Sequence, residues 1–170
     1  MPWDMLWAGW RSEYIVTAGE PDADGCLFCR LPAGDDEETL ILERGAFGFA
    51  VLNRYPYTTG HVMVAPYRHI EGPAELNADE QADLWRLLGN AMDAIDTAMH
   101  PDGYNLGANL GRVAGAGVPG HFHLHLVPRW SGDANFMTTV GDTRVLPEDL
   151  TVTWARLRAA SSRARDASPE

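Results

Sequence analysis

Three histidines alternate with apolar residues in Gly120-His121-Phe122-His123-Leu124-His125-Leu126-Val127-Pro128. Successive side chains of an extended strand point to opposite faces. The spacing therefore predicts a strand over 122–130 that sets Phe122, Leu124 and Leu126 against a core and lines the three imidazoles along the other side. A lone histidine in such a setting is ordinarily a satisfied core or surface group. Three in strict alternation, entered from a glycine-rich stretch, point instead to chemistry, because imidazole is nucleophilic and exchanges protons near physiological pH.

The rest of the chain supplies partners for that strand. Leu40-Ile41-Leu42 opens a strand, Phe47–Leu52 follows after Gly45, and His61–Ala65 follows after the break at Pro56 and Gly60, an antiparallel meander. Asn77-Ala78-Asp79-Glu80 reads as an N-cap with its reciprocal acid, opening a helix over 78–99 with Leu84, Leu87, Leu88, Met92, Ile95 and Met99 on one face. His100 then sits as a partner for the C-terminal dipole, not as a ligand. Tyr104–Leu110 reads as a further strand, and Pro147-Glu148-Asp149 opens a last helix running to about Arg165. The expected class is α+β, an antiparallel sheet of about five strands carrying one long helix and a C-terminal helix. At 170 residues a single domain is expected: an aromatic arm (Trp3, Trp7, Trp10, Tyr14) and loop over 1–38, a core over 39–146, and a helix and tail over 147–170.

Charge narrows the function. The 13 basic residues are all arginine, set against 24 acids for a formal net charge of -11. Such a chain lacks the basic face that counterion release at nucleic acid requires. Without lysine, neither Schiff-base chemistry nor a P-loop is available. No apolar run approaches the roughly 20 residues of a membrane span, and Met1-Pro2-Trp3-Asp4 has no basic start of a leader, so a soluble, cytoplasmic protein is expected.

Two further segments carry chemistry. Cys26-Leu27-Phe28-Cys29, in a region expected to be loop, is either a redox pair or half of a metal site, and no βαβ pattern follows it to favour a thioredoxin-like role. The run Asn109–Pro119 leads into the triad strand. Its Gly111, Gly115 and Gly117 allow backbone N–H groups to approach phosphate oxygens, with Asn109 as a polar contact and Arg112 as the compensating charge.

The His-apolar-His-apolar-His-apolar-apolar run resembles the signature of the histidine triad (HIT) family. Leu52-Asn53-Arg54-Tyr55-Pro56, Gly60-His61-Val62-Met63-Val64 and Pro66-Tyr67-Arg68-His69 match the family's first half. Trp7–Arg11, Pro128-Arg129-Trp130 and Gly132–Phe136 are similar to a bacterial branch related to diadenosine tetraphosphate phosphorylases. The resemblance implies a HIT-like fold and nucleotidyl transfer. In that scheme His123 is the nucleophile at the α-phosphorus, His125 contacts the phosphate and assists the leaving group, and His61 supports the triad. It also implies a structural zinc held by Cys26, Cys29, His69 and His121, with a reduced thiol pair as the alternative. Asn53 falls where relatives contact ribose. Leu42, Phe47, Phe49 and Leu52 become base-pocket walls, with ordinary core as the alternative for most of them, and the Trp130–Phe136 segment closes the site or joins a homodimer partner. The family's glutamine, four residues before the first triad histidine, is replaced here by Gly117. That departure weakens the hydrolase reading and leaves the acceptor, inorganic phosphate or water, open. The expectation is a dinucleoside polyphosphate phosphorylase acting on a purine nucleotide substrate. A dinucleoside polyphosphate or phosphoramidate hydrolase, and a catalytically weak nucleotide-binding sensor, stand as alternatives.

Overall fold

The computed structural model describes residues 25–133 and 148–167, with side chains described to Ser161 in the last helix. The aromatic arm and the last three residues of the Trp130–Phe136 segment lie outside these residues. The elements run α1 (Leu27–Arg30), α2 (Asp36–Thr39), β1 (Ile41–Arg44), β2 (Gly48–Leu52), β3 (Val62–Pro66), α3 (Ala78–Met99), β4 (Gly103–Gly107), β5 (Leu124–Arg129) and α4 (Leu150–Ala167). The five strands form one antiparallel sheet in the order β1-β2-β3-β5-β4, so the meander holds through β3 and the triad strand then inserts between β3 and β4. Among the described residues no helix is long and apolar enough to cross a membrane.

Three stretches differ from the pattern, one of them β4, which ends at Gly107 and not at Leu110. The triad strand starts at Leu124, not Phe122, because its ladder with β3 ends at Val64↔Leu124 and β3 closes on Pro66, which has no N–H to give. The N–H of Phe122 instead donates to the Ile70 carbonyl in the loop after β3 (2.6 Å). The segment around the cysteines, expected as loop, contains short helical turns. Asp35 caps α2 by accepting the N–H groups of Glu37 and Glu38, and the acids of its first turn suit the helix dipole.

The helix α3 forms where its cap and periodicity place it. Asn77 accepts the N–H of Glu80 (2.9 Å) while the Glu80 carboxylate accepts the N–H of Asn77 (2.9 Å). Leu84, Leu87, Leu88 and Ile95 are buried on the sheet, close enough that a Cβ on Gly48 would stand 2.5 Å from the Leu84 side chain. His100 caps the helix in the left-handed conformation, its N–H donating to the Asp96 carbonyl. The helix α4 packs on α3 and β1 through Leu157 and Ala160, and its Trp154 indole donates to the Ile41 carbonyl (2.9 Å).

The cap also reaches the site. The Arg68 guanidinium grips both oxygens of Glu80 (2.9 and 2.8 Å), tying the loop that carries His69 to the start of α3. Arg68, helped by the Asn77 N–H, holds the Glu80 carboxyl down to about 2. Its contribution to stability is therefore complete above the ordinary carboxyl range and lost as the pH falls through about 2. Replacing Asn77 by Ala removes one half of the cap. The expected cost is about 1 kcal/mol, a melting temperature about 2–4 °C lower by calorimetry at neutral pH.

Candidate active site and metal cluster

One line of paired residues crosses the sheet. Ile41 pairs with Val51, Val51 with Met63, Met63 with His125, and His125 with Gly107. Val51, Met63 and His125 from this line are part of the lining of a cavity of about 250 Å³, which His123 also lines. Leu27, Phe28, Leu31, Leu40 and Leu52 give it apolar walls, and Asn109, Gly115 and Gly117 of the glycine-rich loop lie along another side. Gly115 caps the short turn Arg112–Ala114 at φ +87, a conformation that suits glycine. On the other face of the triad segment, Phe122 and Leu124 border a shallow apolar groove with Leu84 and Trp85. The alternation expected from the sequence is thus present.

Unambiguous donors and acceptors set the protonation of each ring. The carbonyl of His121 can only accept, and it lies 2.8 Å from His123 Nδ1. Nδ1 of His123 therefore carries the hydrogen and its Nε2 the lone pair. The backbone N–H of Tyr57 can only donate, and it points at His61 Nδ1 (3.1 Å), with the Asn53 amide nitrogen 3.3 Å from the same atom. His61 must then donate from Nε2 to His125 Nδ1, 3.0 Å away. That leaves His125 with a protonated Nε2, a donor where His123 has a lone pair. Burial pushes the His123 imidazole below its ordinary value, against the pull of the His121 carbonyl, and so keeps it neutral. The Tyr57 ring stacks on His61 with centroids 4.8 Å apart and 14° between planes.

The same reasoning applies to His121. Its Nε2 lies 2.9 Å from the Pro66 carbonyl and must donate, which turns an Nδ1 lone pair toward the cysteines. Nδ1 stands 3.3 Å from Cys26 Sγ and 3.6 Å from Cys29 Sγ, and His69 Nδ1 stands 3.4 Å from Cys29 Sγ. All four ligand atoms lie within 4.8 Å of one another. Bonds of about 2.3 Å to sulfur and 2.0–2.1 Å to nitrogen around a tetrahedral ion place S and N ligands roughly 3.5 Å apart. The cluster therefore fits a four-coordinate metal, with the Pro66 carbonyl as the outer partner that orients His121. Burial, together with the neighbouring Cys26, pushes the Cys29 thiol up. Phe28, between the cysteines, is buried with its ring 5.3 Å from that of His121 and 4.6 Å from that of His123.

Several residues singled out in the sequence stand elsewhere. Gly111 and Arg112 are exposed and Trp130 is half-buried, and none of them lines the cavity. The arginine on the lining is Arg54. Asn53 does line it, but its amide oxygen accepts the Tyr55 N–H (2.9 Å) and its amide nitrogen faces His61, so both ends are engaged within the protein. Of the proposed base walls only Leu52 lines the cavity. Phe49 is core against Phe28 and Tyr67, Leu42 is buried away from the cavity, and Phe47 is exposed. Leu31 was missed, as were Phe28 and Arg54, although these two adjoin the flagged Cys29 and Asn53.

Comparison with known proteins agrees with this geometry. The HIT domain family model matches residues 35–132. The AP-4-A phosphorylase of Mycobacterium tuberculosis is 39% identical, over 89% of this chain and 84% of that protein. The adenosine 5'-monophosphoramidase of Schizosaccharomyces pombe is 33% identical, over 61% of this chain and 74% of its own. A zinc-bound histidine triad family protein of Mycobacterium smegmatis shares the fold with a TM-score of 0.68 at 27% identity, covering 84% of this chain and 97% of that one.

Metal uptake tests the cluster directly. Cobalt(II) added to metal-free protein is expected to give the intense visible absorption of a tetrahedral thiolate site at about one equivalent per chain. Cys29→Ser should weaken it, and acidification should release the ion because protons compete for the thiolates.

Proposed function

The chain belongs to the HIT family, and we propose that it cleaves a phosphoanhydride of a purine nucleotide through a nucleotidyl adduct on His123, with a dinucleoside polyphosphate as substrate and inorganic phosphate as acceptor. The observation that carries this reading is the pair of opposite tautomers on one cavity lining. His123 offers a buried, neutral Nε2 lone pair, and His125 offers an Nε2 hydrogen. An attacking nitrogen and a hydrogen-bond donor for the charge that develops on the leaving oxygen are the two groups that such a displacement needs.

In this mechanism His123 Nε2 forms a bond to the α-phosphorus while the bond from that phosphorus to the bridging oxygen breaks. The Nε2 hydrogen of His125 donates a hydrogen bond to the departing oxygen, which takes the bonding electron pair and leaves as the polyphosphate anion, and the Nε2 hydrogen of His61 holds the orientation of the His125 ring. The His121 carbonyl stabilises the charge that develops on the His123 ring by accepting from Nδ1. An oxygen of inorganic phosphate then attacks the same phosphorus, the N–P bond breaks, and His123 regains its lone pair. From diadenosine tetraphosphate the products are ATP and then ADP; water in place of phosphate gives AMP. The glycine-rich loop supplies backbone N–H groups for the phosphate oxygens, and Asn109 and Gly117 lie on the cavity beside it.

Zinc is the metal that the two thiols and two imidazoles suit. Its four protein ligands would leave no open position, so its contribution is to fix His121. The main chain of His121 in turn holds His123. The similarity to the AP-4-A phosphorylase supports the phosphorylase reading, as does Gly117, which leaves the acceptor side of the cavity without a glutamine amide.

Product analysis separates the acceptors. With diadenosine tetraphosphate, millimolar phosphate is expected to convert the second product from AMP to ADP, rising with phosphate concentration. Gly117→Gln should shift the ratio back toward AMP. AMP as the sole second product at every phosphate concentration would make the protein a hydrolase.

A further inference from the structure

The cavity encloses one nucleotide at most, since pockets that bury a drug-sized ligand run roughly 300–1,000 Å³ and this one is about 250 Å³. The remainder of a longer substrate must lie at its mouth. Two exposed polar side chains on the lining mark that mouth, Arg54 and Tyr55, the latter 51% exposed. The turn that displays them is held from within, by the Tyr55 N–H on the Asn53 amide oxygen.

The lining carries no carboxylate, and Arg54 is its one permanent cation among the described residues. That matters in a chain of net charge -11 with no lysine. The overall field repels a polyphosphate, so its charge must be met locally. Arg54 donates from one Nη to the Glu38 carbonyl (3.2 Å), and among the described residues no carboxylate lies in ion-pair contact with it. One anchored bond leaves most of the five donors of a guanidinium for an anion, in the planar fork that suits phosphate. Arg112, the cation expected from the sequence, does not line the cavity.

We infer that Arg54 is a specificity-determining residue: it receives the phosphates beyond the one attacked at His123 and so sets a preference for substrates with a long anionic leaving group. This rests on the proposed reading of the cavity as a nucleotide site. Arg54 takes no part in bond making. Its effect falls on the affinity for the phosphate chain and leaves the nucleoside end to the apolar walls. The opposing expectation is an arginine that serves only to tether α2 through Glu38, in which case nucleotides of any chain length are affected alike.

The test uses equilibrium binding in a His123→Asn background, where substrate is not consumed. Diadenosine tetraphosphate and AMP are titrated into this parent and into the same protein carrying Arg54→Ala or Arg54→Lys. Arg54→Ala is expected to lower the preference for diadenosine tetraphosphate over AMP by about tenfold or more, the usual weight of a charge-assisted contact. It should also flatten the salt dependence of polyphosphate binding, and Arg54→Lys should recover part of both. An unchanged preference in Arg54→Ala overturns the assignment of Arg54 while leaving the nucleotide site intact. A parent that binds neither ligand overturns the site reading, and this assignment with it.

Discussion

The hydrogen bond from His123 Nδ1 to the His121 carbonyl, 2.8 Å long, is the contact on which the site depends. It sets the tautomer of the central imidazole and points the lone pair away from the main chain. It can do so only if His121 is itself immobile. His121 is 1% exposed, its Nε2 is bound to the Pro66 carbonyl, and its Nδ1 lies among the sulfurs of Cys26 and Cys29. The end of β3, the cysteine turn and the triad segment therefore meet in one residue. His123 inherits its geometry from all three.

The cysteine turn contributes in a second way. Cys26 and Cys29 sit at either end of one helical turn, which leaves Phe28 between them, buried with its ring against His121 and His123. The flanking Leu27 and Leu31 face the cavity as well. A metal at the cluster would hold the apolar wall as well as the triad, because the cysteines and the wall share one short segment. The second relay, from the Tyr57 N–H through His61 to His125, includes none of the four cluster residues. The two histidines proposed as leaving-group partner and nucleophile are thus held by different hydrogen bonds.

Much of this was legible in the sequence because it rests on local periodicity. Alternation placed the imidazoles opposite Phe122 and Leu126, the Asn77 cap and leucine spacing marked α3 from Ala78 to Met99, and resemblance supplied His69 and His121 as partners for the cysteines. What was not legible rests on tertiary approach. Phe28 looks like filler in a metal loop until the turn lays it across His123. Arg54 is one residue from the flagged Asn53, yet its entry into the cavity depends on where the Asn53 turn points. Arg112 has the right charge in the right loop, but the turn at Arg112–Ala114 leaves it exposed. The strand starts two residues late because Pro66 ends the ladder of its neighbour, a constraint invisible along the triad itself.

The central claim is that His123 Nε2 becomes bonded to phosphorus during turnover. Protein mixed with diadenosine tetraphosphate in the absence of phosphate, quenched without acid during turnover and digested, gives the direct measurement by mass spectrometry. The account predicts one adenylyl group on the peptide containing His123, lost on addition of inorganic phosphate together with the appearance of ADP. Steady turnover with that peptide unmodified at every quench time, or an adenylyl group carried on another peptide, would contradict it.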